Sequence, residues 1–291
     1  MLLCTHLSLF SAVAADFMLF AFIQWTVSPE IVDLGFFTLR WYSLLFTTGI
    51  LLSYYIVRKQ FEQAKLPNEV FESLVMHVLV GMIVGMRLGH FLFYEPDAFL
   101  DRPLEIFLPV SFTPELRFTG YAGLASHGGA IGILISLWLF YRKYPKVSVW
   151  FVLDQLALVA PLVGAFIRLG NFFNSEMIGH PTSMPWAFVF PLVDQLPRHP
   201  AQLYEVASYL FIFAGLIAWK SRTRNRPAGL IFSGLLINLF SARFVIEFFK
   251  INQVAFESNF VLNMGQLLSL PFIAIGIILY YSRRTKSIAI S

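Results

Sequence analysis

Charged residues and cysteine are both scarce in this chain of 291 residues. Lysine, arginine, aspartate and glutamate make up 13% of it, about half the share that is usual in soluble domains. The single cysteine, Cys4, excludes an intramolecular disulfide and a cysteine-based structural zinc site. Low charge combined with 57% hydrophobic residues also excludes intrinsic disorder, which requires the opposite composition.

Apolar residues are abundant instead. Mean hydropathy is +0.70 and aromatic residues make up 17% of the chain. A soluble domain of this length could not hide so much apolar surface, because its surface-to-volume ratio leaves too much exposed. The composition therefore predicts an integral membrane protein.

Seven runs of low charge approach or exceed the ~20 residues that a membrane-spanning helix needs. We predict an all-α, polytopic membrane protein with about seven transmembrane helices and a head of loops at the outer leaflet. The predicted spans are Trp41–Val57, Val70–Tyr94, Gly123–Tyr141, Val147–Ile167, Ala201–Trp219, Pro227–Phe249 and Phe260–Ser282.

The cations give these spans a direction. Of the 21 lysines and arginines, 13 follow the first, third, fifth and seventh runs. The positive-inside rule then places the C-terminus in the cytoplasm and the start of the first span outside.

The N-terminal stretch allows several interpretations. Leu7–Trp25 is apolar except for Asp16, but no basic region precedes it, so a cleaved signal peptide is disfavoured. Residues 1–25 could be an interfacial or eighth helix, or an upstream extension with Met18 as the true start. The predicted organisation is such a segment followed by a seven-span membrane domain over residues 26–291.

The second span carries a stripe of small residues, Gly81, Gly85 and Gly89. Small residues four apart let another helix approach closely. Arg87 lies about 200° from Gly85 around the helix and so faces away from the stripe.

Charges inside spans cost roughly 2.5–3.5 kcal/mol each on insertion scales, so each is a candidate for function. The alternative is a paired structural group or a side chain that reaches back to the interface. Arg168 and Asn171, three residues apart at the outer end of the fourth span, are suited to a lipid phosphate. A helix-end anchor with a capping asparagine is the competing interpretation.

Three further groups of polar residues each allow both a functional and a structural interpretation. Arg198 and His199 precede the fifth span, and Glu205 near its start could simply favour the helix N-terminus. Arg243 and Glu247, four residues apart, could pair with each other or hold a guanidinium toward an anion.

His127, beside two glycines near the outer end of the third span, could be a general base or a hydrogen-bonded packing residue. With Glu176, these groups on four spans converge at the outer leaflet. Together they predict a pocket for an anionic head group. The histidines show no spacing typical of a metal site.

Several motifs carry a family resemblance. The strings SHGG (126–129), RLGNFFNSE (168–176), LPRHPAQLYE (196–205), ARFVIEFF (242–249) and MGQLLSLP (264–271), with RWY at 40–42, resemble prolipoprotein diacylglyceryl transferases. The resemblance runs in order from about residue 22 to residue 281. One departure is Leu239, where the family usually has a tyrosine four residues before the late arginine.

The resemblance implies a seven-span enzyme of the bacterial inner membrane. Such enzymes move a diacylglyceryl group from phosphatidylglycerol to the lipobox cysteine of a prolipoprotein, release glycerol 1-phosphate and use no metal or other cofactor. No nucleic acid is implied as a partner. By resemblance the catalytic residues are His127, Arg243 and Glu247, and the phosphatidylglycerol-binding residues are Tyr42, Arg168, Asn171, Glu176, His199 and Glu205.

The mechanistic hypothesis makes His127 the base for the cysteine thiol, although a carboxylate could serve instead. Arg168 and Arg243 would hold the phosphate. The rival hypothesis is a transporter that moves an anionic solute past the same arginines. It requires polar residues in the cytoplasmic half of the spans, where we find little beyond Glu72, Asp154 and Asn238.

Overall fold

The computed structural model describes residues 22–35, 38–106, 108, 110–112, 117–118, 123–223, 226–251 and 262–288. The chain divides into two units, one of residues 1–57 and 150–291 and the other of residues 58–149. Most of what is described is helical, as predicted. The helices are α1 (Trp41–Gln63), α2 (Asn68–Tyr94), α3 (Ala98–Asp101), α4 (Ser126–Lys143), α5 (Val149–Phe173), α6 (Ala201–Arg222), α7 (Leu230–Ile246) and α8 (Met264–Ile288).

All long helices of the described part coincide with the predicted spans. Among the described residues, five stretches are long and apolar enough to cross a membrane: α2, α5, α6, α8 and the stretch Leu230–Phe249, which contains α7. The other two long helices, α1 and α4, are outside this set because of their polar residues. The last turn of α4 carries Arg142 and Lys143, and α1 carries hydroxyl groups among its apolar residues. The molecule is therefore a multi-pass membrane protein, and the number of seven spans stays a prediction.

Short strands accompany the helices, which the all-α prediction did not include. They are β1 (Ile23–Gln24), β2 (Glu30–Asp33), β3 (Thr38–Arg40), β4 (Val110–Ser111), β5 (Arg117–Phe118), β6 (Phe188–Val189) and β7 (Pro197–Arg198). β6 pairs with β1 in parallel and with β7 antiparallel. Strands of two to four residues are too short to show an alternating pattern, so only tertiary contacts could define them.

β1 shows that residues 23 and 24 belong to the fold of the first unit. Trp25 continues this contact, because its backbone N–H donates to Val189 O and its ring lies 4.2 Å from that of Phe172. The alternatives for residues 1–25 otherwise concern residues 1–21, which lie outside the described part of the chain.

The glycine stripe of α2 packs against α4, as predicted. A Cβ atom on Gly85 would lie 2.8 Å from the Cα of Gly132, and one on Gly132 would lie 2.8 Å from the Cα of Gly85. Gly89 and Gly128 meet in the same way. The two helix backbones touch here, which no residue with a side chain would permit.

Two intramembrane charges turn out to be structural. Arg87 is buried and donates to the carbonyl oxygens of Ile106 (3.0 Å) and Glu105 (2.7 Å). Asp154 of α5 is buried and accepts hydrogen bonds from the backbone N–H groups of Gly229 and Phe232, both at 2.8 Å. Asp154 thus caps the start of α7 from a neighbouring helix.

Next to this cap lies the apolar core of the first unit. Its buried members come from α5, α6 and α7: Ala157, Leu158, Leu216, Ile231 and Leu235. Leu239 packs against this cluster. An apolar side chain therefore suits the position at which the family usually has a tyrosine.

We expect Gly132→Ala to push α4 away from α2, because its Cβ has no room beside Gly85. The melting temperature of the purified protein in detergent should fall by several degrees. The matched control is Gly215→Ala in α6, where nothing lies within 4 Å of the added Cβ. Alanine should stabilise that helix by about 0.5–1 kcal/mol. Equal melting temperatures for the two variants would contradict the close packing.

Candidate active site at the ends of four helices

The end of α5 forms the first part of the site. Arg168 Nη1 donates to Asn171 Oδ1 (3.2 Å), as their spacing predicts. After the helix ends, Ser175 has a φ of 55° and the chain reverses. Glu176 therefore returns to Asn171, whose Nδ2 donates to Glu176 Oε2 (2.9 Å), while Asn174 Nδ2 donates to Oε1 (3.2 Å). The signature segment is thus a local hydrogen-bonded unit.

Glu205 of α6 is the centre of the site. It is completely buried, and its carboxylate lies between two cations. Arg168 Nε is 3.0 Å from Oε2, and Lys250 Nζ is 2.9 Å from Oε1. The hydroxyl of Tyr209 donates to Oε1 at 3.3 Å. Glu205 therefore neutralises the charges of Arg168 and Lys250, a role that goes beyond favouring the start of α6.

Lys250 also binds Glu247, at 3.2 Å between Nζ and Oε2. Of the two alternatives for Arg243 and Glu247, an ion pair between them is not found among the described residues, in which Glu247 pairs with Lys250. The physical reason is local. α7 gives way to a 3₁₀ turn at Glu247–Phe249, and in that geometry side chains three residues apart eclipse each other.

Arg243 nevertheless lies near this group. Tyr209 interacts electrostatically with Arg243 and with Arg168. Arg243 is half-buried, and no ion pair to it is found among the described residues. Its guanidinium is thus available to an anion, the second of the two roles considered for it.

Tyr42 of α1 joins the site from the other side of α5. Its ring lies against Gly170, where a Cβ would be 2.7 Å from Tyr42 Cδ2. Both Arg168 and Glu176 act electrostatically on its hydroxyl. The structure therefore brings Tyr42 together with the α5 residues that the resemblance pairs it with.

The start of α8 supports Glu247. Asn263 and Gln266 form a reciprocal cap, with Gln266 N bonded to Asn263 Oδ1 (2.9 Å) and Asn263 N to Gln266 Oε1 (3.1 Å). Gly265, between them, makes room for the Glu247 carboxylate: a Cβ there would lie 2.5 Å from its Cδ. This explains why the motif begins with Met-Gly-Gln.

Oppositely charged residues of the loop between α5 and α6 bind each other. Arg198 is buried and its Nε donates to both carboxylate oxygens of Asp194, at 3.0 and 3.1 Å. These bonds hold the pKa of Asp194 below its usual value. Arg198 Nη1 also donates to Gly179 O (3.2 Å). Arg198 therefore fixes the loop, although it was expected among the pocket residues.

His199 contributes a neutral group. Burial, followed by the neighbouring His180, lowers the pKa of its imidazole below the ordinary value, which favours the neutral form. Trp186 donates to the Tyr204 hydroxyl (2.8 Å), which contacts His199 Nδ1 at 3.0 Å. An indole only donates, so the hydroxyl keeps its own proton to donate to Nδ1, an arrangement in which the imidazole proton lies on Nε2.

His127 belongs to the other unit of the chain and is described by itself. It lies in the first turn of α4 and is exposed. Its ring centroid is 5.0 Å from that of Phe93 and 6.1 Å from that of Tyr94. Its assignment as a catalytic residue stays a prediction from resemblance.

Lys250 and Tyr209 are the residues that sequence reasoning missed. Lys250 follows the last apolar part of the sixth predicted span and is buried in the site. Its spacing of three residues from Glu247 was a usable signal, because a buried lysine requires a carboxylate. Tyr209 lies one helical turn after Glu205 and could have been found in the same way.

The described fold and site define a multi-pass membrane protein in which the ends of four helices surround a buried cluster of ion pairs. The chain belongs to the prolipoprotein diacylglyceryl transferase family, whose model matches residues 29–282. The phosphatidylglycerol–prolipoprotein diacylglyceryl transferase of Bacteroides fragilis is 43% identical over 270 residues, covering 91% of this chain and 97% of that protein. The protein of the same name from Tolumonas auensis is 42% identical over 255 residues, covering 88% and 95%.

We expect Gly265→Ala to displace the Glu247 carboxylate, because the added methyl group occupies its place. Transferase activity should fall at least tenfold, and the melting temperature should fall as well, because the buried pair of Glu247 with Lys250 is disturbed. A double-mutant cycle supplies the control. Once Glu247→Ala has removed the carboxylate, adding Gly265→Ala should cost no further activity. If it costs the same factor in both backgrounds, Gly265 does not act through Glu247.

Proposed function

We propose that this protein transfers the diacylglyceryl group of phosphatidylglycerol to the thiol of a prolipoprotein lipobox cysteine. Membership of the transferase family supports this, together with the names of relatives that match nearly their whole length. It favours the enzyme over the transporter of anionic solutes. The observation that carries the assignment to a site is the buried cluster of Arg168, Glu205, Lys250 and Glu247.

In this proposal Arg168 binds the lipid phosphate. Its side chain is 18% exposed, while that of its partner Glu205 is 0% exposed. The guanidinium is therefore held from behind and remains reachable from outside. Arg243, beside Tyr209, would approach the same phosphate. Two guanidinium groups supply the planar, forked donors that match phosphate oxygens.

The glycerol part of the head group has hydroxyls that need acceptors. Beside Glu176, three buried polar atoms make no hydrogen bond within the described part of the chain: Asn174 Oδ1, Ser175 Oγ and Gln202 Oε1. An unsatisfied buried polar atom costs about 1–3 kcal/mol. Hydroxyl groups of a bound head group would donate to these atoms and remove this cost. His199 in its neutral form would add a hydrogen-bond donor without adding a positive charge to the site.

The reaction substitutes sulfur for oxygen at a glycerol carbon. The cysteine thiol loses its proton to a base, for which we propose His127. The thiolate attacks the carbon of the diacylglyceryl group that bears the phosphate, and the C–O bond to the phosphate breaks as the C–S bond forms. Glycerol 1-phosphate leaves with the electron pair. Arg168 and Arg243 stabilise the charge that gathers on its phosphate.

We further propose that the site faces the outer side of the bacterial cytoplasmic membrane, with the C-terminus in the cytoplasm. The distribution of cations supports this, because 13 of 21 follow alternate spans. Secreted prolipoproteins would present the lipobox cysteine at that surface. The described site residues from α5, α6, α7 and α8 lie at helix ends, consistent with an opening at the lipid head groups.

Arg168→Lys keeps a positive charge but removes the fork, so we expect the KM for phosphatidylglycerol to rise at least tenfold. Arg243→Lys should act in the same direction. The measurement is the mass increase of a lipobox peptide incubated with purified protein and phosphatidylglycerol. Arg283→Lys is the control: Arg283 binds Ala228 O and covers the Trp150 ring. It lies 18 residues along α8 from Gly265, about 27 Å away. Equal KM values for Arg168→Lys and Arg283→Lys would count against the phosphate site.

His127→Gln tests the base. If His127 accepts the thiol proton, the variant should lose turnover at neutral pH and recover part of it as the pH approaches the thiol pKa of about 8.5. The measurement is the pH–rate profile with saturating phosphatidylglycerol. A profile and turnover equal to those of the unchanged protein would transfer the role to another group.

A further inference from the structure

Lys250 is a buried cation between two carboxylates. Its side chain is 4% exposed, and its Nζ lies 2.9 Å from Glu205 Oε1 and 3.2 Å from Glu247 Oε2. Its backbone is also held, because Lys250 N donates to Glu247 O (3.2 Å) and residue 250 forms a β-bridge with Gly179. Removing a lysine from water costs several kcal/mol unless it is well paired. The free-energy cost of burying Lys250 indicates that it does more than fill space.

Lys250 and Arg168 bind different oxygens of the Glu205 carboxylate. Lys250 and the Tyr209 hydroxyl bind Oε1, which leaves Oε2 to Arg168. Arg168 meets Oε2 through Nε, while its Nη1 is directed to Asn171. An arginine and a carboxylate otherwise favour a two-pronged pair. Without Lys250, only the longer hydrogen bond from Tyr209 (3.3 Å) holds Oε1, and Arg168 could take both oxygens and turn its Nη groups away from a ligand.

Lys250 also sets the local charge. Arg168 and Lys250 balance Glu205 and Glu247, so the cluster is neutral and the charge of Arg243 is left for an anion. Without Lys250 the cluster carries one net negative charge close to the proposed phosphate position. In a low-dielectric surrounding that charge repels a phosphate strongly.

We propose that Lys250 is a positioning residue for phosphatidylglycerol: by occupying one oxygen of Glu205 and neutralising Glu247, it holds Arg168 in the orientation that receives the lipid phosphate. This inference rests on the proposed role of Arg168. It extends that role to a residue that touches neither the phosphate nor the reacting atoms.

The test is steady-state kinetics of Lys250→Met with the two substrates varied separately. We expect the KM for phosphatidylglycerol to rise at least tenfold and the KM for the lipobox peptide to stay within twofold. Glycerol 1-phosphate, tested as an inhibitor, should bind more weakly by a similar factor. Lys250→Arg keeps the charge and can span two carboxylates, so it should recover most of the phosphatidylglycerol affinity.

Lys220→Met is the matched control. Lys220 is a half-buried lysine of α6 whose Nζ binds Gln155 Oε1 at 2.8 Å. It lies 15 residues, about 22 Å, along the helix from Glu205. We expect both KM values to be unchanged in this variant. If Lys250→Met folds poorly, Lys250→Gln replaces it, because glutamine is neutral but still donates to a carboxylate.

The outcomes separate the two proposals when Arg168→Lys is measured in parallel. A raised phosphatidylglycerol KM in both variants supports both. A raised KM in Arg168→Lys alone overturns the role of Lys250 and keeps the phosphate site. No change in Arg168→Lys overturns the phosphate site itself. An equal rise of both KM values in Lys250→Met, with no recovery in Lys250→Arg, reduces Lys250 to a structural residue.

Discussion

The site depends on one fully buried carboxylate, that of Glu205. It draws Arg168 from α5 and Lys250 from the turn after α7 to its two oxygens. Lys250 in turn holds Glu247, which sits against Gly265 at the start of α8. Loss of Glu205 would leave Arg168 and Lys250 without this shared partner, and an unpaired buried charge is costly. The ends of four helices are thereby fixed relative to each other.

The contacts of each charge in the apolar spans distinguish the functional charges from the structural ones. Asp154 and Arg87 bind backbone groups, and in doing so they complete the hydrogen bonding of helix ends and loops. Arg168 and Arg243 differ, since no contact of their guanidinium groups with the backbone is found among the described residues. An arginine whose guanidinium group keeps donors for a further partner is suited to bind an anionic ligand.

Several features could be read from the sequence for definite physical reasons. The spans follow from uninterrupted apolar runs, and the contact of Arg168 with Asn171 follows from their spacing on a helix. The close packing of α2 on α4 follows from Gly81, Gly85 and Gly89. Other features could not be read. The partner of Glu247 depended on a 3₁₀ turn, and Glu205 binds Lys250, which lies 45 residues further along the chain. The sheet of β1, β6 and β7 joins residues more than 160 positions apart.

The sequence by itself determined the membrane class, the helical spans and the family, because these depend on composition, local periodicity and contiguous motifs. Only the tertiary structure decided which charges pair. Asp154 became a helix cap, Arg198 a loop anchor and Lys250 part of the site. The physical reason is that an ion pair in an apolar medium is selected by the distance and direction of side chains from different helices. That selection appears only when the helices have packed.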